Sequence, residues 1–349
     1  MKLQDFINSK NITLYMKELP TEQSVDKALF PAVKQLGTDL EFAKGAKKKA
    51  VALRMSTFDV AAKSRALSAA LNVDKKEIPF FKESLPLKES DRRDLINAAN
   101  SNNENLVKAL AGQVFENYAN LIEGANIVAK RMRCELIQKG EINITTDDGD
   151  IVVDYGVPLG HKTSGTESPA WNLPATDIVA SIQKCQKAIT DDGYTKPNTL
   201  LMTEKTFADT IMVNTAITKH LKSGANVKDI ILNEQDYINF LKDRMGLSVV
   251  FLENSTFIPA EGKEAQRYYL DGYVTLMSGT TLGRTVYGTT PEEWDKIYGS
   301  SKLDTEIHDL GIAITTMVKE DPVTIDTKVS QLVIPSFERA DEVYFAKVY

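Results

Sequence analysis

The chain has 349 residues, 42% apolar and 26% charged, enough to bury a core and long enough for one large domain or two moderate ones. Its 42 basic and 48 acidic residues leave a net charge of -6, with no global pull toward nucleic acid or an anionic membrane, so any contact with DNA has to run through local patches. Met1–Leu14 lacks the unbroken apolar stretch of a secretory signal, no apolar run approaches the roughly 20 residues of a membrane span, and Cys134 and Cys185 are too few for a disulfide framework; a soluble chain with reduced thiols is expected.

Residues 1–40 mix short apolar groups with Pro20 and Pro31 and hold no period, which predicts an extended arm ordered by what it lies against, not a core element. A basic cluster follows, Lys44, Lys47, Lys48 and Lys49, leading into Ala50–Met55; later, Pro79–Lys88 alternates around two prolines. Polar residues outnumber anchors in both stretches, so they read as arms of a long hairpin or extended excursion. The clearest element is a helix from about Glu104 to Lys139, with Leu110, Val114, Tyr118, Leu121, Ile122 and Ala125 among apolar positions three and four apart. Gly140 supplies its stop, and Lys130, Arg131, Arg133 and Lys139 suit the C-terminal end of its macrodipole. At 1.5 Å per residue it is about 50 Å long, a length fit for a spine.

Glu141–Thr146 and Ile151–Tyr155 read as strands of a hairpin joined by Asp147-Asp148-Gly149-Asp150. Gly156–Pro174, rich in Gly, Ser, Thr and Pro around Trp171, marks a boundary. Beyond Ala175 the pattern predicts helix Asp177–Thr190, strand Thr199–Met202, helix Glu204–Val213, a further helix to Leu221 and helix Asn233–Met245. Strands Val249–Leu252, Tyr268–Leu270 and Tyr273–Met277 complete a mixed α/β domain with its own core. Ala313–Val318, Val323–Val329, Leu332–Ile334 and Glu342–Val348 read as closing strands.

Motifs that carry chemistry are missing. Gly160-His161-Lys162-Thr163 resembles the tail of a phosphate-binding loop, but its first glycine is misplaced and a His separates Gly from Lys, so it reads as an ordinary loop. Asp147, Asp148, Asp150 and Asp154 lack the glycine and distal Glu offsets of a calcium loop, and a hairpin turn explains them. His161, His220 and His308 are dispersed, with no ligand spacing, and no nucleophile elbow or dinucleotide fingerprint occurs. No catalytic, cofactor-binding or metal-binding residue is therefore assigned. The lysine run has no interleaved aromatics to stack bases, which leaves a solvated charged stretch or a partner for acidic surface on a neighbouring copy.

The order of elements, and specific residues within it, resemble the lambda-type major head proteins of tailed bacteriophages. Leu136, Lys139-Gly140-Glu141 and Ile151-Val152-Val153-Asp154-Tyr155-Gly156 look like that family's exit from its spine helix. Trp171 with Pro174-Ala175-Thr176-Asp177-Ile178 resembles its entry to the next domain. Gly272–Met277 through Leu282–Gly288, and Pro322 to Asp341-Glu342-Val343, are similar in order and spacing to its later stretches, so the resemblance covers about residue 40 to the end.

This resemblance implies an α+β fold of the HK97-like capsid type. Its parts would be an N-terminal arm (1–40), an extended E-loop hairpin (41–90), a peripheral domain on the spine helix (91–174), an axial α/β domain (175–310) and return strands of the peripheral domain (311–349). It implies a structural subunit, not an enzyme, that self-assembles into hexamers and pentamers of an icosahedral head around double-stranded DNA held non-specifically. No cofactor is implied. A scaffold, a portal and in some cases a decoration protein are the implied partners, there is no membrane role, and assembly takes place in the host bacterial cytoplasm. Within that frame the inter-subunit contacts fall on Lys44, Lys47, Lys48 and Lys49, and on Arg284 and Tyr287 of the Gly279–Gly288 region. Two alternatives stand beside it: an encapsulin-like cargo compartment, which shares the fold, and a cytoplasmic α/β enzyme centred on 175–310, which would need a deep pocket of convergent polar groups.

Overall fold

The computed structural model describes residues 7–19, 23–43, 73–100, 104–146, 149–223, 231–299 and 303–349. The chain begins with α1 (Ser9–Glu18), α2 (Val25–Leu29), β1 (Ala32–Lys34), β2 (Asp39–Ala43), β3 (Val73–Glu77), β4 (Phe80–Leu87), α3 (Glu89–Asn100) and the long α4 (Glu104–Lys139). Next come β5 (Glu141–Thr146), β6 (Gly149–Asp154), β7 (Lys162–Thr166), α5 (Ile178–Asp191), β8 (Thr199–Thr203) and α6 (Glu204–Phe207), which continues as a π-helical turn over Ala208–Met212. The rest is α7 (Thr215–Lys222), α8 (Glu234–Met245), β9 (Ser248–Leu252), β10 (Thr256–Phe257), β11 (Gln266–Arg267), β12 (Tyr273–Met277), β13 (Thr285–Tyr287), α9 (Pro291–Tyr298), β14 (Asp304–His308), β15 (Ile312–Val318), β16 (Ile325–Pro335) and β17 (Tyr344–Lys347).

Side-chain caps fix many helix starts by satisfying orphan backbone N–H groups: Asn8 for α1, Asp177 for α5, Asn214 for α7, and a reciprocal Asn233–Asp236 box for α8. Gly140 ends α4 with φ +70°, and a Cβ there would sit 2.8 Å from the Phe345 ring, so the site demands glycine both for its backbone and for its space.

The described residues fall into two units. The first draws on 1–41, 75–133 and 284–336. Its six-stranded sheet runs β1-β13-β16-β15-β14, with β4 also paired to β16, Phe80–Leu87 lying antiparallel to Ile325–Leu332. Ile12 and Met16 of α1, Tyr118 and Ile122 of α4, and Ile314 and Val329 of the sheet share one core. A buried ion pair, Arg133 Nε to Asp26 Oδ2 at 2.7 Å, ties α2 to the spine helix.

Three expectations change here. Residues 9–18 are not an arm awaiting a neighbour but a helix in the unit's own core; its stripe is hard to read because two of its inward positions are the buried Ser9 and Thr13. Ser9 is held by Asp304 (Oγ to Oδ1, 2.7 Å) and Thr13 by the Ser9 carbonyl (2.8 Å). Pro79–Lys88 is not an arm of the excursion, because β4 joins the main sheet while β2 pairs with β3 instead. Residues 44–72, most of the expected E-loop, lie outside the described residues. Third, 325–335 is one strand where two were expected, Val323–Val329 and Leu332–Ile334: the intervening Ser330 and Gln331 are both buried, Ser330 donating to Glu292 (2.8 Å) and Gln331 to the Ala125 carbonyl (2.6 Å).

The second unit draws on 42–74, 134–283 and 337–349. Its five-stranded sheet runs β7-β17-β12-β8-β9, with β12 antiparallel to β8 and β17, and the β8–β9 and β7–β17 pairs parallel. Trp171, Ile182, Phe207, Leu241, Val274 and Leu276 lie in its core. The last turn of α4 is locked into this unit: Thr275 donates to the Ile137 carbonyl (2.6 Å), and the Gln138 amide exchanges two bonds with the Leu270 backbone (2.9 Å each). That exchange takes the Leu270 N–H, and Tyr268 N–H goes to Ser255, so the strand expected at Tyr268–Leu270 is replaced by the short β11 at 266–267. Hairpin β5–β6 and the last strand β17 belong to the second unit, whereas residues 284–310 belong to the first.

Candidate assembly surface

The groups that could do chemistry are occupied by packing. Among the described residues no cluster of His, Cys, Asp and Glu is placed to hold a metal ion. His161 is buried, edge-on to Tyr194, with Nε2 3.0 Å from Asp192 Oδ2 in a geometry that makes no hydrogen bond. His308 is buried beside Asp309, and His220 stacks edge-on against Phe240. Cys134 and Cys185 are buried and form no disulfide; burial, with Glu167 nearby, pushes the Cys185 thiol up to about 12. An open groove beside α3 holds Glu89, Arg92, Ile96 and Val323. There Arg92 donates to the Val323 carbonyl (2.6 Å) and Val323 N–H to Glu89 (2.9 Å), so both charges clasp the turn between β15 and β16.

Of the residues expected at subunit contacts, Lys44, Lys47, Lys48 and Lys49 lie outside the described residues. Arg284 is exposed, its backbone fastened to Ser336 in both directions (3.0 and 2.7 Å). Tyr287 is half-buried in β13, between β1 and β16, and burial pushes its phenol up while the neighbouring Arg133 eases it back. Gly311 packs so close that a Cβ there would come within 2.6 Å of Tyr287.

What sequence reasoning passed over is a ridge on α9, where Trp294, Ile297 and Tyr298 are exposed although they are the helix's large apolar residues. Its signals were present: Thr290-Pro291-Glu292-Glu293 is a helix-start pattern, and the three large residues follow at i, i+3 and i+4. Elsewhere the most exposed large apolar side chains, Leu159 and Ile231 in the second unit, are far apart along the chain.

The sequence profile of the family described as Phage major capsid protein E matches residues 8–348. A search of curated proteins finds no match. Among solved structures, a putative capsid protein from a prophage of E. coli CFT073 superposes with a TM-score of 0.58 at 9% identity, covering 98% of this chain and 99% of that one. A phage-related protein from Bordetella bronchiseptica RB50 does so with a TM-score of 0.51 at 12% identity, covering 98% and 97%. At such identities these two carry the fold alone, and that fold is the HK97-like one.

Proposed function

The chain belongs to the phage major capsid protein E family, a structural family and not an enzymatic one, and from that premise we propose how it builds a head. Copies associate into hexamers and pentamers, and these close an icosahedral shell around packaged double-stranded DNA. The first unit, built on α4 and the long sheet, acts as the peripheral domain; the second acts as the axial domain, and 44–72 as the E-loop with its lysine cluster against an acidic neighbour. Each contact is modest, and closed symmetry multiplies modest contacts into a stable particle. A scaffold, a portal and a decoration protein are the partners this reading calls for, with assembly in the host bacterial cytoplasm.

The observation that carries the proposal is the family match over almost the entire chain. It favours a phage head over a cargo compartment, and among the described residues His161, His308 and both thiols are buried apart from any His, Cys, Asp and Glu cluster placed to hold a metal ion. Sedimentation velocity and negative-stain microscopy of the purified chain, alone and co-expressed with a scaffold, test it. Shells, tubes or rings of five and six are expected; a small monodisperse species under both conditions would contradict it.

A further inference from the structure

A surface helix ordinarily turns its apolar side inward and its charges to water. Helix α9 does the reverse. Its buried residue is Glu292, whose carboxylate meets Lys328 Nζ (2.5 Å) and Ser330 Oγ (2.8 Å). Glu293 pairs with Lys34 (2.5 Å) and Lys296 with Glu306 (3.0 Å), so these charges are all engaged within the same unit. Facing out are Trp294, 40% exposed, Ile297, 51%, and Tyr298, 68%. The two rings are already stacked, with centroids 4.8 Å apart. Thr290 caps the helix and Pro291 pre-sets its first turn, and the Glu292 and Glu293 pairs fasten its start to the unit. Large exposed aromatics on a preorganised helix, beside an exposed Lys296 already paired with Glu306, suit a contact better than a fully solvated face.

Resting on the shell reading above, we infer that the Trp294–Ile297–Tyr298 ridge docks against a second copy of this chain. The area decides between occupants. Large side chains present roughly 150–250 Å² each, so at these exposures the ridge leaves on the order of 300 Å² in water. A partner that binds from solution needs about 800 Å² on each side. The ridge alone falls well short of that, but it suffices for a neighbour already positioned by other contacts in a closed shell.

The chain holds two tryptophans, and Trp171 is fully buried, so quenching by acrylamide reads Trp294 without any substitution. On assembly of the full chain, quenching should drop toward that of a buried indole and the emission should shift to the blue. Shells visible by microscopy whose tryptophan quenches as in free subunits would overturn the inference while leaving the shell reading intact, as would a ridge that is covered only after another protein is added. If the chain forms no particles with or without scaffold, the shell reading itself fails and takes this inference with it. The double variant I297S/Y298S, whose side chains are mostly in water, should keep the circular dichroism of the parent and need roughly tenfold more protein to assemble, the scale of one lost hot-spot contact. Unchanged assembly by that folded variant would also overturn the inference.

Discussion

Replacing Asp26 with Ala should be among the most damaging single changes in the first unit. Arg133 Nε sits 2.7 Å from Asp26 Oδ2, with the side chains 5% and 1% exposed. At that separation the attraction is about 6 kcal/mol for an effective dielectric near 20, but desolvating both ions costs a comparable amount. The Asp26 Oδ1 atom is buried with no hydrogen-bond partner, so the pair is not fully repaid for leaving water. Asp26→Ala strands a guanidinium beneath Tyr287 and should cost about 3–5 kcal/mol, whereas D26L/R133M, which removes both charges and fills the space, should lie within about 1–2 kcal/mol of the parent. The assay is native-state hydrogen exchange of amides in residues 25–30 and 126–133, which reads the opening free energy of this unit without requiring the whole chain to unfold in one step. A neutral Asp26→Ala, or a double variant as unstable as the single one, would refute the account of this pair.

Other outcomes follow from the same geometry. Burial pushes the Glu292 carboxyl up, but Lys328, its own backbone and Ser330 outweigh this and hold it below its ordinary 4.5. Because the folded value is the lower one, its contribution is complete above about pH 4.5 and fades as pH falls through the depressed value; exchange at residues 290–298 should accelerate there first, and equal acceleration across the unit would count against it. Gly140→Ala must adopt φ +70° and push into Phe345, so it should lower the melting temperature by several degrees, a loss of about 2 kcal/mol or more, readable by calorimetry. Cys134 and Cys185 should react with a thiol reagent only after denaturation, since both are buried and the Cys185 thiol is pushed up to about 12; fast native labelling of either would contradict the packing.

How far the fold could be read in advance depended on whether a signal was local. The spine helix was legible because thirty-six residues keep one apolar stripe and Gly140 ends it, and the β5–β6 hairpin because Asp-Gly sits between alternating runs. Helix α1 was hidden because part of its buried side is Ser9 and Thr13, satisfied by Asp304 and by its own backbone. The alternation of β4 was visible, but its partner β16 lies some 240 residues away in sequence, and no local pattern names such a partner. The α9 ridge escaped because its pattern is inverted, with Glu292 buried and the large apolar side chains exposed. Of the expected contact residues, Tyr287 lies in β13 between β1 and β16, a placement that no local pattern in its glycine-rich stretch announces.

The most direct measurement is cryo-electron microscopy of the particles this chain forms, alone or with a scaffold. Closed icosahedral shells are expected, with hexamers and pentamers that each accept both units and with α4 continuous in the density. Well-folded protein that stays monomeric or dimeric in every condition, scaffold included, would contradict it.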